Sequence, residues 1–367
     1  MTSTLRALCA AALWVCGAVH AQAAEPKFLN IYNWNDYIAE DTIRNFEKET
    51  GIKVRYETFD QEEVLAARLV MGNSGYDLVV LGTEFGKGQI DAGALQKLDR
   101  SKLGNWGNLD PFVLEKMAKA DPGNQYLVNW LWGFTTVGLN TTRLKAILGN
   151  LKWPENPWAW VFNPQYAARA KSCGISVVDT PTAIIPQALL YMGKPPYSTS
   201  TSDYAEIAPM LRAVRPYITN FSGSGYIDRL ASGSLCVAVG YSGDINIARN
   251  RALKANRTDT IEAAIAPGPS ILFFDSLAIP KDAKDVDAAH QFINYVLRPQ
   301  VHASLSNAVF YANPNAAAMR HVNPDIANNR TIFPDAASLK RMTTPEVLPQ
   351  SVRKIQVRTF SSFKNGF

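Results

Sequence analysis

Residues 28–81 read FLNIYNWNDYIAEDTIRNFEKETGIKVRYETFDQEEVLAARLVMGNSGYDLVVL, and this stretch decides the fold. Short apolar runs typical of strands alternate with two segments of helical spacing. In the first helical segment Ile43 and Phe46 share one face, and Gly51 is placed to end the helix. The predicted strands are Phe28–Tyr32, Lys53–Tyr56 and Asp77–Leu81, and the predicted helices are Glu40–Thr50 and Glu62–Met71. This order predicts an open α/β sheet with ligand groups at the carboxyl ends of its strands.

Length and composition are those of a globular protein. The chain has 367 residues, of which 47% are hydrophobic and 19% charged, so one large or two ordinary domains are expected. This composition excludes a largely disordered chain, a coiled coil and a fibrous repeat. The net charge is +5, but the basic residues are spread out, which favours a solvated surface over a nucleic-acid site.

Residues 1–23 are predicted to be a secretory signal peptide. Arg6 precedes an apolar run over Ala7–Val19, and Ala21-Gln22-Ala23 has the small residues of a cleavage site. The run is too short to span a bilayer, so cleavage after Ala23 or Ala24 would release a soluble exported protein. The two cysteines that remain, Cys173 and Cys236, are expected to form a disulfide, with two buried free thiols as the alternative.

The rest of the chain predicts a second α/β lobe. Strands are expected at Gly174–Val178, Leu235–Val239 and Ile271–Phe274, and a helix at Val286–Arg298. The chain is expected to cross between the lobes near Phe134–Asn140 and again near Ile265–Pro269.

Signatures of catalysis, cofactor binding and metal binding are scarce. The sequence has no G-x-S-x-G, no Walker A motif, no G-x-G-x-x-G after a strand and no H-E-x-x-H. After the signal peptide the only histidines are His290, His302 and His321, and none has a Cys or His at metal-ligand spacing. We therefore expect no catalytic residue, cofactor or metal.

Four segments pair aromatic with polar or acidic residues where strands end. They are Trp34-Asn35-Asp36-Tyr37, Tyr241-Ser242-Gly243-Asp244, Phe273-Phe274-Asp275 and Tyr311-Ala312-Asn313. Aromatic faces attract ammonium groups, and carboxylates accept charge-assisted hydrogen bonds from them. Aromatic walls can also cover the methylene stem of an aliphatic amine. The pattern indicates a site for an organic cation.

With these motifs the chain resembles the periplasmic polyamine-binding proteins of bacterial ABC transporters, most closely the putrescine-binding type. The likeness covers essentially the whole chain after the signal peptide. It is carried by Trp34–Ile38, Asn45–Val54, Tyr76–Val80, Lys171–Gly174, Cys236–Asp244, Phe273–Asp275, Asn294–Pro299, Val309–Asn313 and Val357–Thr359.

The resemblance implies a type II periplasmic binding protein, with two α/β lobes, hinge strands and a ligand cleft between the lobes. It places residues 24–136 and 267–315 in the first lobe and residues 137–266 and 316–367 in the second. It also implies a disulfide between Cys173 and Cys236, a monomer, a location in the periplasm and a membrane permease as partner.

The resemblance also implies roles for single residues. Trp34 and Phe273 would sandwich the methylene chain, and Tyr37 and Tyr311 would complete the aromatic box. One ammonium group would be held by Asp36 and Asp275. The other would be held by Asp244, near Tyr241.

Several positions depart from the family pattern. Asn35 replaces a Ser or Thr, Tyr241 a Trp and Gly82 a Ser, and Ala183 stands where the second lobe has an acidic residue. Glu84 and its neighbour Phe85 lie in a first-lobe loop that can face the ligand, so Glu84 is a candidate to restore the missing acid. Its alternative is a solvated loop residue.

Other functions stay open at this point. The ligand could be another amine, such as spermidine, agmatine or 4-aminobutyrate, and the protein could act as a sensor. An enzyme that uses Asp36 and Asp275 as an acid–base pair is disfavoured, because no nucleophile or metal set accompanies them. Three acids facing one pocket should repel one another, so the cleft is expected to be open without ligand and closed around a dication.

Overall fold

The computed structural model describes residues 28–366, and the signal peptide predicted at residues 1–23 lies outside this range. The strands within this range are β1 Phe28–Trp34, β2 Lys53–Phe59, β3 Leu78–Gly82, β4 Val128–Asn140, β5 Ile175–Val178, β6 Asn220–Ser222, β7 Val237–Tyr241, β8 Ile261–Ala264 and β9 Leu272–Ala278.

Helices pack around these strands. They are α1 Glu40–Thr50, α2 Glu62–Met71, α3 Thr83–Asp91, α4 Pro111–Met117, α5 Thr141–Ile147, α6 Ala159–Phe162, α7 Pro164–Ala170, α8 Pro181–Tyr191, α9 Thr201–Val214, α10 Tyr226–Ala231, α11 Ser242–Lys254, α12 Val286–Val296, α13 Pro299–Val309, α14 Pro324–Ala327, α15 Ala336–Arg341 and α16 Gln350–Asn365. Short 3₁₀ helices lie at Arg100–Lys102, Trp106–Asn108, Lys171–Cys173, Arg215–Tyr217 and Ala316–His321. Within residues 28–366, no helix combines the length and apolar character needed to cross a membrane.

The strands form two sheets joined by β4. The first-lobe sheet has the order β2-β1-β3-β9-β4, and the second-lobe sheet continues as β4-β7-β5-β6, with β8 also paired to β4. β4 pairs with β9 as far as Phe134 and with β7 from Thr135 onward. This change of partner lies where a crossing between lobes was predicted. The two-lobed α/β class is confirmed.

The early part of the chain folds as its sequence pattern predicts. α1 and α2 have the predicted bounds, and Gly51 ends α1 with a left-handed φ of 73°. In β3, Leu78 and Val80 join the core on one face of the sheet, and Val79 and Leu81 join the core on the other. An apolar run without alternation is required because both faces of β3 are buried.

One predicted helix is too long. α12 ends at Val296 instead of Arg298, and Arg298 has extended backbone (φ −67°, ψ 136°) immediately before Pro299. Proline disfavours helical backbone at the residue before it. Pro299 then occupies the first position of α13, where its missing N–H costs nothing.

The second lobe has its own core, which includes Trp158, Trp160 and Tyr226. Cys173 and Cys236 form a disulfide there with their Cα atoms 5.5 Å apart, which confirms the predicted pair.

The carboxyl-terminal region packs against both lobes. Ala318, Val322 and Ile326 pack around Ala303 of α13, whereas the chain joins the second-lobe core from Leu348 onward. The lobe boundaries stay a prediction, and this packing favours a boundary nearer residue 348 than residue 316.

Candidate functional site

A cavity lies between the lobes, where β1, β3 and β7 end and β9 begins. Its aromatic lining consists of Trp34, Tyr37, Phe59, Phe85, Tyr241, Phe273 and Tyr311. Its acidic lining consists of Asp60, Glu62, Glu84, Asp244 and Asp275, and no Lys, Arg or His lines it among the residues that the structure describes. Carboxylates gathered beside aromatic rings make a site for a cation.

Asp275 stands in the wall of the first lobe. It lies on β9 opposite Gly82 of β3, and its Oδ2 accepts a 2.9 Å hydrogen bond from the Tyr37 hydroxyl. Burial raises the pKa of Asp275 to about 7; the Tyr37 hydrogen bond acts against this rise, while the charges of Glu84 and Asp244 add to it. The structure thus holds Asp275 in place by one hydroxyl and surrounds it with negative charge.

Asp244 stands in the opposite wall, in the first turn of α11. Its Oδ1 accepts a 2.5 Å hydrogen bond from Tyr311, and its Oδ2 accepts one from Tyr226. Burial raises the pKa of Asp244 to about 6, and the two tyrosine hydrogen bonds limit that rise. Tyr311 packs in the first-lobe core, so its bond to Asp244 joins the lobes.

The aromatic rings meet edge to face. Tyr241 and Phe273 have ring centroids 5.2 Å apart with their planes at 71°, and Tyr37 and Tyr311 have centroids 4.8 Å apart at 86°. Trp34 packs against Phe59, with their ring centroids 4.4 Å apart. Such contacts orient the rings that line the cavity.

The structure does not bring Asp36 beside Asp275. Asp36 has a left-handed φ of 53°, its side chain is 50% exposed, and its Oδ1 lies 3.2 Å from Arg251 Nη2 of α11. It is absent from the cavity lining, although Asn35 and Tyr37 on either side of it are present. The turn directs Asp36 toward the second lobe, so the expected pairing of Asp36 with Asp275 in the cavity is not observed.

The other predicted residues lie at the cavity. Glu84 and Phe85 line it from the first turn of α3, and Asn35 donates a hydrogen bond to Asp60. Ala183 lines the facing wall with Thr180 and Thr182, so no acid stands at residues 180–183 of the second lobe.

Sequence reasoning missed several cavity residues. Asp60 and Glu62 line the cavity, and Tyr226 binds Asp244 from α10. These residues come from elements whose approach no local pattern reveals. Arg251 carried a usable signal, because it lies seven residues after Asp244, which places both on one side of α11.

Within residues 28–366, no group of three or more His, Cys, Asp or Glu side chains is arranged to hold a metal ion.

Two α/β lobes that close on a cavity of this kind define a solute-binding protein. Residues 41–334 match the family described as bacterial extracellular solute-binding protein, and the chain belongs to that family. The predicted class and the location outside the cytoplasm are confirmed.

The relatives are themselves binding proteins. The chain is 42% identical over 350 residues to the putrescine-binding periplasmic protein PotF of Escherichia coli (strain K12), covering 95% of this chain and 94% of the relative. It is 41% identical over 357 residues to the putrescine-binding periplasmic protein SpuD of Pseudomonas aeruginosa (strain UCBPP-PA14), covering 97% of each. The solved spermidine/putrescine ABC transporter substrate-binding protein PotD of Streptococcus pneumoniae matches with a TM-score of 0.76 and 25% identity, over 93% of this chain and 99% of that chain. The predicted resemblance is confirmed.

Proposed function

We propose that this protein captures a linear aliphatic diamine of the putrescine type in the periplasm and delivers it to the permease of an ABC transporter. The observation that carries the proposal is the lining of the cavity. Five carboxylates face it, and no basic side chain does among the described residues. A ligand with two positive charges offsets part of this negative charge, whereas an anion or a neutral sugar would leave all of it uncompensated.

The two ends of the ligand have separate acceptors in this proposal. Asp275 accepts from one ammonium group and Asp244 from the other. Tyr37 holds the first carboxylate, and Tyr226 and Tyr311 hold the second, so both are oriented without being neutralised by a basic residue. Each charge-assisted hydrogen bond contributes about 1.5–3 kcal/mol.

The aromatic rings pack against the methylene chain of the diamine in this proposal. Phe273 and Tyr241 face the same cavity as Trp34. Burying each methylene group contributes about 0.8 kcal/mol, and the ring faces also attract the ammonium groups.

Closure couples binding to delivery. The hydrogen bond from Tyr311 to Asp244 joins the lobes at the acid that takes one end of the ligand. A ligand that neutralises Asp244 and Asp275 would therefore favour the closed form, which a permease can distinguish from the open form. No chemical step is proposed, because every role assigned to these acids is that of an acceptor.

The experiment is a calorimetric titration of the protein lacking residues 1–23, unfolded and refolded to remove any bound ligand. The panel is putrescine, cadaverine, spermidine, agmatine and 4-aminobutyrate. Binding of a diamine with a Kd of about 1 μM or tighter, near −8 kcal/mol, is expected. Failure of every diamine, with 4-aminobutyrate binding in that range, would overturn the proposal.

A further inference from the structure

Glu84 is a carboxylate that the two-acceptor arrangement above leaves without a role. It lies in the first turn of α3 and lines the cavity from the first lobe. Burial raises the pKa of its carboxyl above the usual range, and its hydrogen bond to its own backbone N–H acts in the opposite direction. A solvated loop glutamate would instead be exposed to water at the protein surface and would not line this cavity.

The absence of a side chain at Gly82 leaves space for the Glu84 carboxylate. A Cβ built on Gly82 would lie 3.1 Å from Glu62 Oε1 and 3.4 Å from Glu84 Oε2, so two carboxylates converge where a larger residue would place its side chain. The Gly82 N–H donates a hydrogen bond to the Glu62 carboxylate. The departure from the family pattern at Gly82 and the placement of Glu84 are therefore parts of one arrangement.

Glu84 belongs to the Asp275 end of the cavity. Gly82 stands opposite Asp275 in the pairing of β3 with β9, and Glu84 follows two residues later. The Glu84 charge acts on Asp275, while the charges that act on Asp244 come from Asp36 and Arg251. Glu84 therefore shares the Asp275 end of the cavity, whereas Asp244 is held by Tyr226 and Tyr311.

The part of the second-lobe wall formed by residues 180–183 has no acid. Thr180, Thr182 and Ala183 line it at the start of α8. Tyr197, which does not line the cavity, has a buried hydroxyl with no hydrogen-bond partner among residues 28–366, and the Glu84 charge acts on it. A donor group entering between these walls would find Glu84 as its acceptor.

We propose that Glu84, together with Asp275, binds the cationic group at the ligand end distant from Asp244, and so restricts the cavity to aliphatic dications. This inference rests on the proposed function and names the ligand class of the same site. A ligand with a carboxylate at that end would meet two negative side chains. A ligand with a methyl group there would leave both carboxylates uncompensated.

The test is Glu84→Gln, titrated with putrescine and with 1-aminobutane, which has the same chain length and a single ammonium group. Loss of one charge-assisted bond is expected to weaken putrescine binding by about 10- to 100-fold. Binding of 1-aminobutane, measured by competition, is expected to weaken less than that of putrescine, because its single ammonium group can bind at Asp244 and leave the Glu84 end unoccupied. A merely structural role for Glu84 would weaken both ligands alike.

The matched control is Asp91→Asn, which removes a carboxylate from the same helix. Asp91 is 61% exposed and paired with Lys87 at 2.9 Å, so this variant should bind both ligands as the wild type does. Adding Ala183→Glu to Glu84→Gln places an acid on the opposite wall and should recover most of the lost putrescine affinity.

The outcomes separate the two proposals. Putrescine binding by Glu84→Gln within about threefold of the wild type would overturn the role of Glu84 and leave the proposed function standing. A parallel loss for both ligands would also overturn it. A wild-type protein that binds no diamine would overturn the proposed function itself.

Discussion

Asp36 and Arg251 connect the two lobes beside the cavity. Their charged atoms lie 3.2 Å apart, with side chains 50% and 36% exposed, and Arg251 also binds Asp228 at 2.7 Å. The pair is accessible to water, so its charges are screened, in contrast with the buried carboxylates of the cavity. Its position suits a contact that forms when the lobes meet.

We expect Asp36→Asn to weaken diamine binding by less than about fivefold, mainly through faster dissociation, because exposed ion pairs contribute about 0–1 kcal/mol. Stopped-flow dissociation at low and high salt measures this effect. The control is Glu49→Gln, which breaks the exposed pair between Glu49 and Arg298 away from the cleft and should leave dissociation unchanged. A loss as large as that of Asp275→Asn would mean that Asp36 binds the ammonium group directly, as the sequence analysis expected.

Gly243 permits a close approach that the site needs. A Cβ on Gly243 would lie 2.2 Å from Cδ2 and Cε2 of Tyr311, too close for Tyr311 to keep its place against Asp244. We expect Gly243→Ala to weaken diamine binding by about tenfold or more, since it displaces a partner of the acid. Calorimetry measures the loss. Gly88→Ala is the control, because a Cβ there meets nothing within 4 Å; equal affinities for the two variants would contradict this role of Tyr311.

Closure of the ligand-free protein should depend on pH. In the closed cavity the pKa of Asp275 is raised to about 7 and that of Asp244 to about 6, whereas an open cleft would expose both to water. The closed form therefore holds protons that the open form lacks, and closure is favoured as the pH falls from about 8 to about 5. Tyr37, Glu84 and the two acids face one another, and Arg251 near Asp244 reduces the effect without removing it.

Small-angle scattering of refolded protein measures this effect. The radius of gyration should be smaller at pH 5.5 than at pH 8.5 without ligand, and equally small at both with putrescine, for pKa values of about 6 and 7. In Asp275→Asn the pH effect should shrink. An identical radius at both pH values in ligand-free wild type would argue against closure linked to these acids.

The disulfide should stabilise the fold without contributing to binding. Cys173 and Cys236 are separated by 63 residues and do not line the cavity. Replacing both by serine should lower the free energy of unfolding by about 2–4 kcal/mol, because the crosslink restricts the unfolded chain. Denaturant unfolding at 25 °C measures the change in stability, and calorimetry at 25 °C measures putrescine binding. A tenfold change in putrescine affinity with no change in stability would contradict this assignment.

The sequence predicts those parts of the site that follow regular strands. Asp244 was found because it follows the carboxyl end of β7, and such ends meet at one edge of a sheet. Phe273 and Asp275 were expected at the end of a strand, but β9 runs from Leu272 to Ala278, so they lie within it. Glu84 was found as a loop residue that can face the ligand and could replace the acid missing at Ala183. The direction of Asp36 depends on a left-handed turn that a non-glycine residue rarely adopts, so no sequence rule assigns it.

Long-range contacts set the rest. Tyr226 reaches Asp244 from a separate helix, and the Glu62 and Glu84 side chains, from α2 and α3, both approach Gly82. Tertiary packing decides these approaches. The early end of α12, by contrast, has a local cause. Pro299 disfavours helical backbone at Arg298, and this effect outweighs the apolar periodicity of the helix.

The most direct test is calorimetric titration of putrescine into refolded wild type and Asp275→Asn. Asp275 has a raised pKa, so the unfolded state ionises it more readily than the closed fold does. Its replacement should therefore not destabilise the protein near neutral pH, and a melting curve verifies this. We predict that Asp275→Asn weakens putrescine binding by about 100-fold or more. Binding within about threefold of the wild type would contradict the assignment of this cavity as the diamine site.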